Sequence, residues 1–234
     1  GVAVTSVRPS SDLAAGNYFG WPSAFAWQNY VEVFTNSPIG QYILNSFKVT
    51  IPAVIGAVAL SCMTGFALGI YKFRSNLLIF FLFVAGNFVP AQILMIPVRN
   101  LTLQLGLYNS TSGLVLFHIA FQAGFCTLFM RNFIKGLPFA LIESARVEGV
   151  SEWKIFLHIV LPLMRPALVS AATLIFAKCL GDFGVSYILG VPVGYDVLAT
   201  SLYRALATNQ RGMGAVLALT VVALGSLSIL LDLY

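Results

Sequence analysis

The chain has 234 residues, of which 59% are hydrophobic and only 9% charged, with 13 Lys and Arg against 8 Asp and Glu. Soluble domains carry about 25% charged residues and disordered chains far less apolar matter, so both classes are excluded and an integral membrane protein remains. The net charge of +5 is spread without a dense basic run, which excludes a phosphate-tracking groove and hence nucleic acid as a partner.

In chain order, residues 1–48 are mixed in polarity and broken by Pro9, Pro22 and Pro38. Within them Trp27, Tyr30, Val31 and Phe34 fall at i, i+3, i+4 and i+7, which predicts a short interfacial helix with aromatics at headgroup level. Five apolar segments follow, at residues 49–70, 77–98, 112–130, 167–190 and 212–231, each near the roughly 20 residues that a bilayer core requires. The second carries Pro90 and Pro97 with Asn87 and Gln92, so this helix should bend or open; its polar side chains either join helices or bind hydroxyl groups.

The links between spans differ in charge. Lys72 and Arg74 lie in the first, Arg99 in the second, Arg131, Lys135, Arg146, Lys154 and Arg165 in the third, and Arg204 and Arg211 in the fourth, which places the first and third links in the cytoplasm and the N-terminus and the other two links outside. A chain that starts outside at Gly1 without a signal-like segment implies a preceding span, and so six in the intact protein. The expected fold is all-α and polytopic: an external segment, 1–48, then a transmembrane domain, 49–234, that includes a cytoplasmic loop, 131–166.

That loop is the one long polar stretch. Pro138 suits the first turn of a helix with Leu141, Ile142 and Ala145 as its apolar stripe, and Gly149 ends it as a C′ glycine. Ser151 is expected to cap a second helix, on which Trp153, Phe156, Leu157 and Val160 repeat at helical spacing until Pro162. Two short helices about a glycine, presented to the cytosol, suit a partner's groove.

Deeper in the chain, Lys178 sits mid-span, where a charge costs about 2.5 to 3.5 kcal/mol on insertion scales, and Asp182 follows four residues later on the same helical face. The pair is either a structural ion pair or part of a cavity that touches solute. Cys62, Cys126 and Cys179 read as small core hydrophobes, with no metal set, and no residues assemble into a catalytic arrangement. No GxxxxGK[ST] run occurs, so any nucleotide energy comes from another subunit.

Glu143-Ser144-Ala145, three residues, Gly149, nine residues, then Ile159-Val160-Leu161-Pro162 resembles the EAA loop (E-A-A, x3, G, x9, I-x-L-P) of permease subunits in binding-protein-dependent ABC importers. Ser144 replaces an alanine and Glu148 stands where Asp often precedes the glycine. Trp27-Gln28-Asn29-Tyr30, Asn45-Ser46, Pro90-Ala91-Gln92 with Ile96-Pro97, and Leu105-Gly106-Leu107-Tyr108-Asn109 resemble segments of the sugar-transporting branch, so the likeness covers about residues 25–234. Leu180-Gly181-Asp182-Phe183 departs from that branch's W-N-D/E-F/Y, and the Gly181-Asp182-Phe183-Gly184 run followed by Gly194-Tyr195-Asp196 resembles permeases for iron, thiamine or polyamines.

The resemblance implies a type I importer permease in the cytoplasmic (inner) membrane of a prokaryote, importing a sugar or oligosaccharide and catalysing nothing itself. It implies as partners a second homologous permease, two ATP-binding subunits that hold ATP and Mg, and an external solute-binding protein, besides membrane lipid. Glu143, Ser144, Ala145, Arg146, Glu148, Gly149, Leu161 and Pro162 would then contact the ATPase. Asn87, Gln92, Lys178, Asp182 and Phe183 would lie on the solute pathway. An ion channel or structural membrane subunit is the alternative of another class.

Overall fold

The computed structural model describes residues 1–17 and 20–232, and the side chains of Ala91, Gln92, Val193 and Leu231 lie outside the described residues. The described residues form helices and contain no strand. Two short helices, α1 (Val2–Ser6) and α2 (Ser10–Ala14), precede α3 (Gln28–Val31), which widens into a π turn at Glu32–Asn36. Asn29 ties this segment together by donating through Nδ2 to the carbonyls of Ser6 (2.9 Å) and Arg8 (3.1 Å). Trp27, Val31 and Phe34 are exposed while Val33 is fully buried, as an interfacial helix with an outward aromatic face requires.

Helix α4 runs from Ile39 to Ile70, beginning before the predicted start at residue 49. The extension carries polar side chains, and these are satisfied from a distant segment: Asn45 Nδ2 donates to the Asp196 carbonyl (2.9 Å) and Ser46 Oγ accepts from the Leu198 N–H (3.0 Å). The principal partner of α4 is α7 (Thr111–Lys135). Their seam is narrow because α4 presents Ala53, Ala57, Ser61, Gly65 and Gly69 at four-residue spacing, the small-residue pattern that lets helices approach in lipid. A Cβ on Gly65 would lie 2.9 Å from Met130 Cβ and 3.1 Å from the Arg131 backbone nitrogen. Across the same seam Ser61 Oγ donates to the Ala123 carbonyl (3.2 Å), and the Thr64 and Thr127 hydroxyls pair at 2.9 Å.

The predicted second span is two helices. α5 (Asn76–Ala85), with a 3-10 turn at Gly86–Phe88, meets α6 (Ala91–Gln104) at 110°. Pro90 is the cause, since it stands at the start of α6 and cannot continue the hydrogen bonding of α5.

Beyond α7 come α8 (Phe139–Val147), α9 (Glu152–Ile155) with a π turn at Phe156–Val160, the short α10 (Leu161–Leu163), and α11 (Arg165–Leu180). The α9–α10 unit meets α11 at 74° about Met164, which is fully buried. The predicted span 167–190 is therefore corrected: α11 stops at Leu180, and α12 (Gly184–Leu189) starts anew after Gly181. A carboxylate explains the break, because Asp182 Oδ2 accepts the Val185 N–H (3.0 Å) and thereby caps α12 instead of extending α11. α13 (Leu198–Ala207) and α14 (Arg211–Asp232) complete the chain. Among the described residues three helices are long and apolar enough to span a membrane, or up to five if each bent pair is one span.

Candidate functional site

The loop at 131–166 folds as two helices about a left-handed glycine. Gly149 has φ +78°, and Val150 N–H donates to the Ala145 carbonyl (3.0 Å) while Gly149 N–H donates to that of Arg146 (3.0 Å). This is a Schellman-type stop, for which a residue without Cβ is favoured. Ile142 and Ala145 are buried, but Leu141 is 46% exposed, so the predicted stripe of three narrows to two. On the second helix Phe156 and Val160 are buried and Trp153 is 57% exposed. Ser151 occupies the N-cap position without a side-chain cap hydrogen bond, which corrects that expectation.

The two helices are braced by a pair that spacing did not reveal. Arg146 Nε and Nη2 donate to Glu152 Oε1 (2.6 Å) and Oε2 (3.1 Å), and Tyr71 Oη, from the α4–α5 link, donates to Glu152 Oε2 (2.8 Å). Hydrogen bonding from Arg146 holds the Glu152 carboxyl below the usual carboxylate range. Because the folded value is depressed, the stabilisation is present at neutral pH and disappears as pH falls through that lowered value. The pair is partly exposed, with side-chain accessibilities of 32% and 40%, so Glu152→Gln is expected to cost less than about 1 kcal/mol of stability. Its larger expected effect is weaker coupling of ATP hydrolysis to uptake, measured side by side in proteoliposomes; unchanged coupling would relegate the brace to an ornament of the loop.

The loop is not a loose appendage. Ile142, Ala145, Ile155, Phe156, Val160 and Met164 share one core cluster with Cys62 and Phe66 of α4, Met130 of α7 and Ile175 of α11. Its outer face offers Glu143, Ser144, Val147, Glu148 and Pro162 to solvent, while Arg146 and Leu161 are half-buried. Ser144 Oγ bonds back to the Leu141 carbonyl (3.1 Å).

The residues expected on a solute pathway separate. Asn87 is exposed and donates to the carbonyls of Phe83 and Val84 (3.2 Å each) on its own helix, and it lines an open groove of about 470 Å³ with Phe117, Phe121 and Gly124. The Gln92 side chain lies outside the described residues. Lys178 and Asp182 do not form an ion pair, and this overturns the same-face expectation. The helical four-residue rule fails because α11 ends between them; Lys178 Nζ lies 4.7 Å from the centroid of the Phe125 ring of α7 instead. Lys178→Met is therefore expected to impair transport with no recovery in the Lys178→Met, Asp182→Leu double variant; recovered uptake would restore the ion pair.

Phe183 gains partners that the sequence reading missed. Its ring centroid lies 4.8 Å from that of Tyr187 and 4.7 Å from that of Tyr203, with the two tyrosines 5.5 Å apart. Tyr187 and Tyr203 are 37% and 47% exposed, so this trio beside Asp182 presents aromatic faces and hydroxyls together. Aromatic residues four apart on one side of a turn were the available signal; Tyr203 is reached across the following link.

Residues 57–234 match the family described as binding-protein-dependent transport system inner membrane component. The chain is 28% identical over 209 residues to the diacetylchitobiose uptake system permease protein NgcG of Streptomyces coelicolor, covering 89% of this chain and 68% of that one. It is 32% identical over 223 residues to the osmoprotective compounds uptake permease protein GgtD of Synechocystis, covering 91% and 73%. Among solved structures, a bacterial ABC transporter involved in import of the acidic polysaccharide alginate superposes with a TM-score of 0.75 at 18% identity, covering 100% of this chain and 88% of that one, a likeness of fold.

Proposed function

This chain belongs to the family of binding-protein-dependent transport system inner membrane components, as a permease subunit of an ABC importer in the inner membrane, and from that premise we propose that it imports a sugar or oligosaccharide. It forms half of the pathway and pairs with a second permease. Of two ATP-binding subunits one takes up the loop at 131–166, and an external binding protein delivers solute.

The observation that carries the coupling reading is the braced glycine turn sharing one core with α4, α7 and α11. A thrust on α8 passes through the Arg146–Glu152 brace to α9 and α10, and across the buried 74° joint at Met164 to α11. Asp182 and Phe183 lie just beyond the far end of α11, in the turn that leads into α12, so movement at the ATPase side reorients the aromatic trio. Interfaces of this kind switch between discrete packings, which suits alternating access.

For the solute, the exposed faces of Tyr187 and Tyr203 support a pyranose ring better than a bare cation, since among the cluster's members only Asp182 is anionic. Each of Tyr187→Ala and Tyr203→Ala is expected to lower uptake, by up to about tenfold for a lost aromatic contact. The deciding experiment measures ATP hydrolysis by the purified assembly with its binding protein loaded by candidate solutes. Stimulation by an oligosaccharide is expected. Stimulation by iron, thiamine or a polyamine instead would overturn the sugar assignment, and ion conduction without nucleotide would overturn the importer.

A further inference from the structure

At the loop-side ends of α4, α5 and α7 lies a cavity of about 730 Å³; Tyr71 of the brace and Phe139 of α8 share its lining, but none of its cations takes part in the brace. Its walls include four cations, Lys72 and Arg74 from the α4–α5 link and Arg131 and Lys135 from the C-terminal end of α7, and no acidic residue. The ion pairs among the described residues, Arg146–Glu152 and Arg204–Asp196, engage none of these four. Four like charges gathered without a counter-ion repel one another, and an anion relieves that repulsion.

Arg131 shows that the site is built. It is only 7% exposed, its Nε donates to the Leu68 carbonyl (3.1 Å), and its guanidinium carbon lies 3.9 Å from the centroid of the Phe80 ring. Both contacts fix the plane of the fork, and its Nη groups have no protein acceptor among the described residues. Planar paired donors of this kind suit phosphate oxygens. The link that carries Lys72 and Arg74 is held by Asn76, whose Nδ2 donates to the carbonyls of Leu68 (3.0 Å) and Tyr71 (2.8 Å).

The remaining walls are apolar. Phe73 and Phe139 are 43% and 42% exposed at the cavity, and α5 continues away from it with Leu78 and Leu82 each 64% exposed. A ligand with a phosphate at one end and hydrocarbon at the other fits both surfaces, whereas a free anion uses only the first. We propose that this cavity binds the phosphate headgroup of an acidic phospholipid in the loop-side leaflet, with its acyl chains along α5. The leaflet assignment rests on the orientation used above; the site itself does not rest on the transported solute.

The test uses the purified transporter assembly, delipidated and titrated with phosphatidylglycerol or phosphatidylcholine, with bound lipid counted by native mass spectrometry. Wild type is expected to prefer phosphatidylglycerol by about tenfold or more, and the exposed pair Lys72→Gln with Lys135→Gln to weaken it by about 25-fold, roughly fivefold per cation. Lys154→Gln with Arg165→Gln removes the same charge from exposed positions on the same side and is expected to leave binding unchanged. Three outcomes would each overturn the proposal: unchanged binding in the first pair, equal loss in the second, or displacement of the lipid by millimolar inorganic phosphate, which marks a free-anion site. Because lipid is counted without transport, an assembly that imports no sugar yet keeps its phosphatidylglycerol separates this failure from that of the sugar reading.

Discussion

Gly149→Pro is expected to abolish uptake while the protein still inserts and still assembles. Gly149 sits at φ +78° and donates its N–H to the Arg146 carbonyl (3.0 Å). Proline is locked near φ −65° and has no N–H, so it can neither adopt this turn nor make that bond. Without the turn α8 and α9 lose their angle, the Arg146–Glu152 brace cannot close, and a thrust on the loop is no longer passed to α11. Gly149→Ala separates geometry from bulk: nothing lies within 4 Å of the new Cβ, so its cost is the left-handed conformation alone, about 1 to 2 kcal/mol, and partial uptake is expected. Charge reversal at the exposed Glu143 is expected to uncouple without touching the turn. The measurement is substrate uptake beside ATP hydrolysis in proteoliposomes, and wild-type uptake by both Gly149→Pro and Glu143→Lys would remove the loop from the coupling path.

Gly65→Val is expected to produce the largest loss of stability of any single change considered. The first added carbon would stand 2.9 Å from Met130 Cβ, 3.1 Å from the Arg131 backbone nitrogen and 3.3 Å from the Met130 carbonyl carbon. Two of those neighbours are backbone, so α7 as a whole must move, and the Ser61–Ala123 and Thr64–Thr127 contacts move with it. Overpacking of this kind costs on the order of 3 kcal/mol, and the branched side chain adds to a collision already made by Cβ. Gly40→Ala is the matched control, since it lies on the same helix with nothing within 4 Å of its Cβ and should be neutral or gain up to about 1 kcal/mol from helix propensity. Thermal unfolding of the purified assembly reads both, and equal midpoints for Gly65→Val and wild type would mean that the α4–α7 seam is looser than its distances say.

Much of the fold was legible because its causes are local. Scarcity of charge and runs of apolar residues place helices in a membrane whatever their neighbours are, and a glycine between two periodic segments marks a left-handed stop because few other residues tolerate that conformation. The Trp153, Phe156 and Val160 spacing identified the second loop helix for the same reason, although Trp153 faces outward. One legible feature went unread: Ala53, Ala57, Ser61, Gly65 and Gly69 stand four apart in the sequence and mark the α7 face of α4.

Other pairings depended on where helices end and what packs beside them. Lys178 and Asp182 stand at helical spacing, yet the carboxylate caps α12 and the ammonium lies by Phe125, because four-residue neighbours meet only if one helix runs through both. Arg146 and Glu152 are six apart on two helices, and Tyr71 joins them from another link, so spacing on a single helix could not pair them. The aromatic trio of Phe183, Tyr187 and Tyr203 and the four-cation cavity likewise exist only once separate segments are folded together. The membrane class, the loop and its glycine are thus properties of short stretches of chain, governed by hydration and backbone conformation. The brace, the aromatic trio and the four-cation cavity are properties of contact across the fold, governed by packing and helix termination.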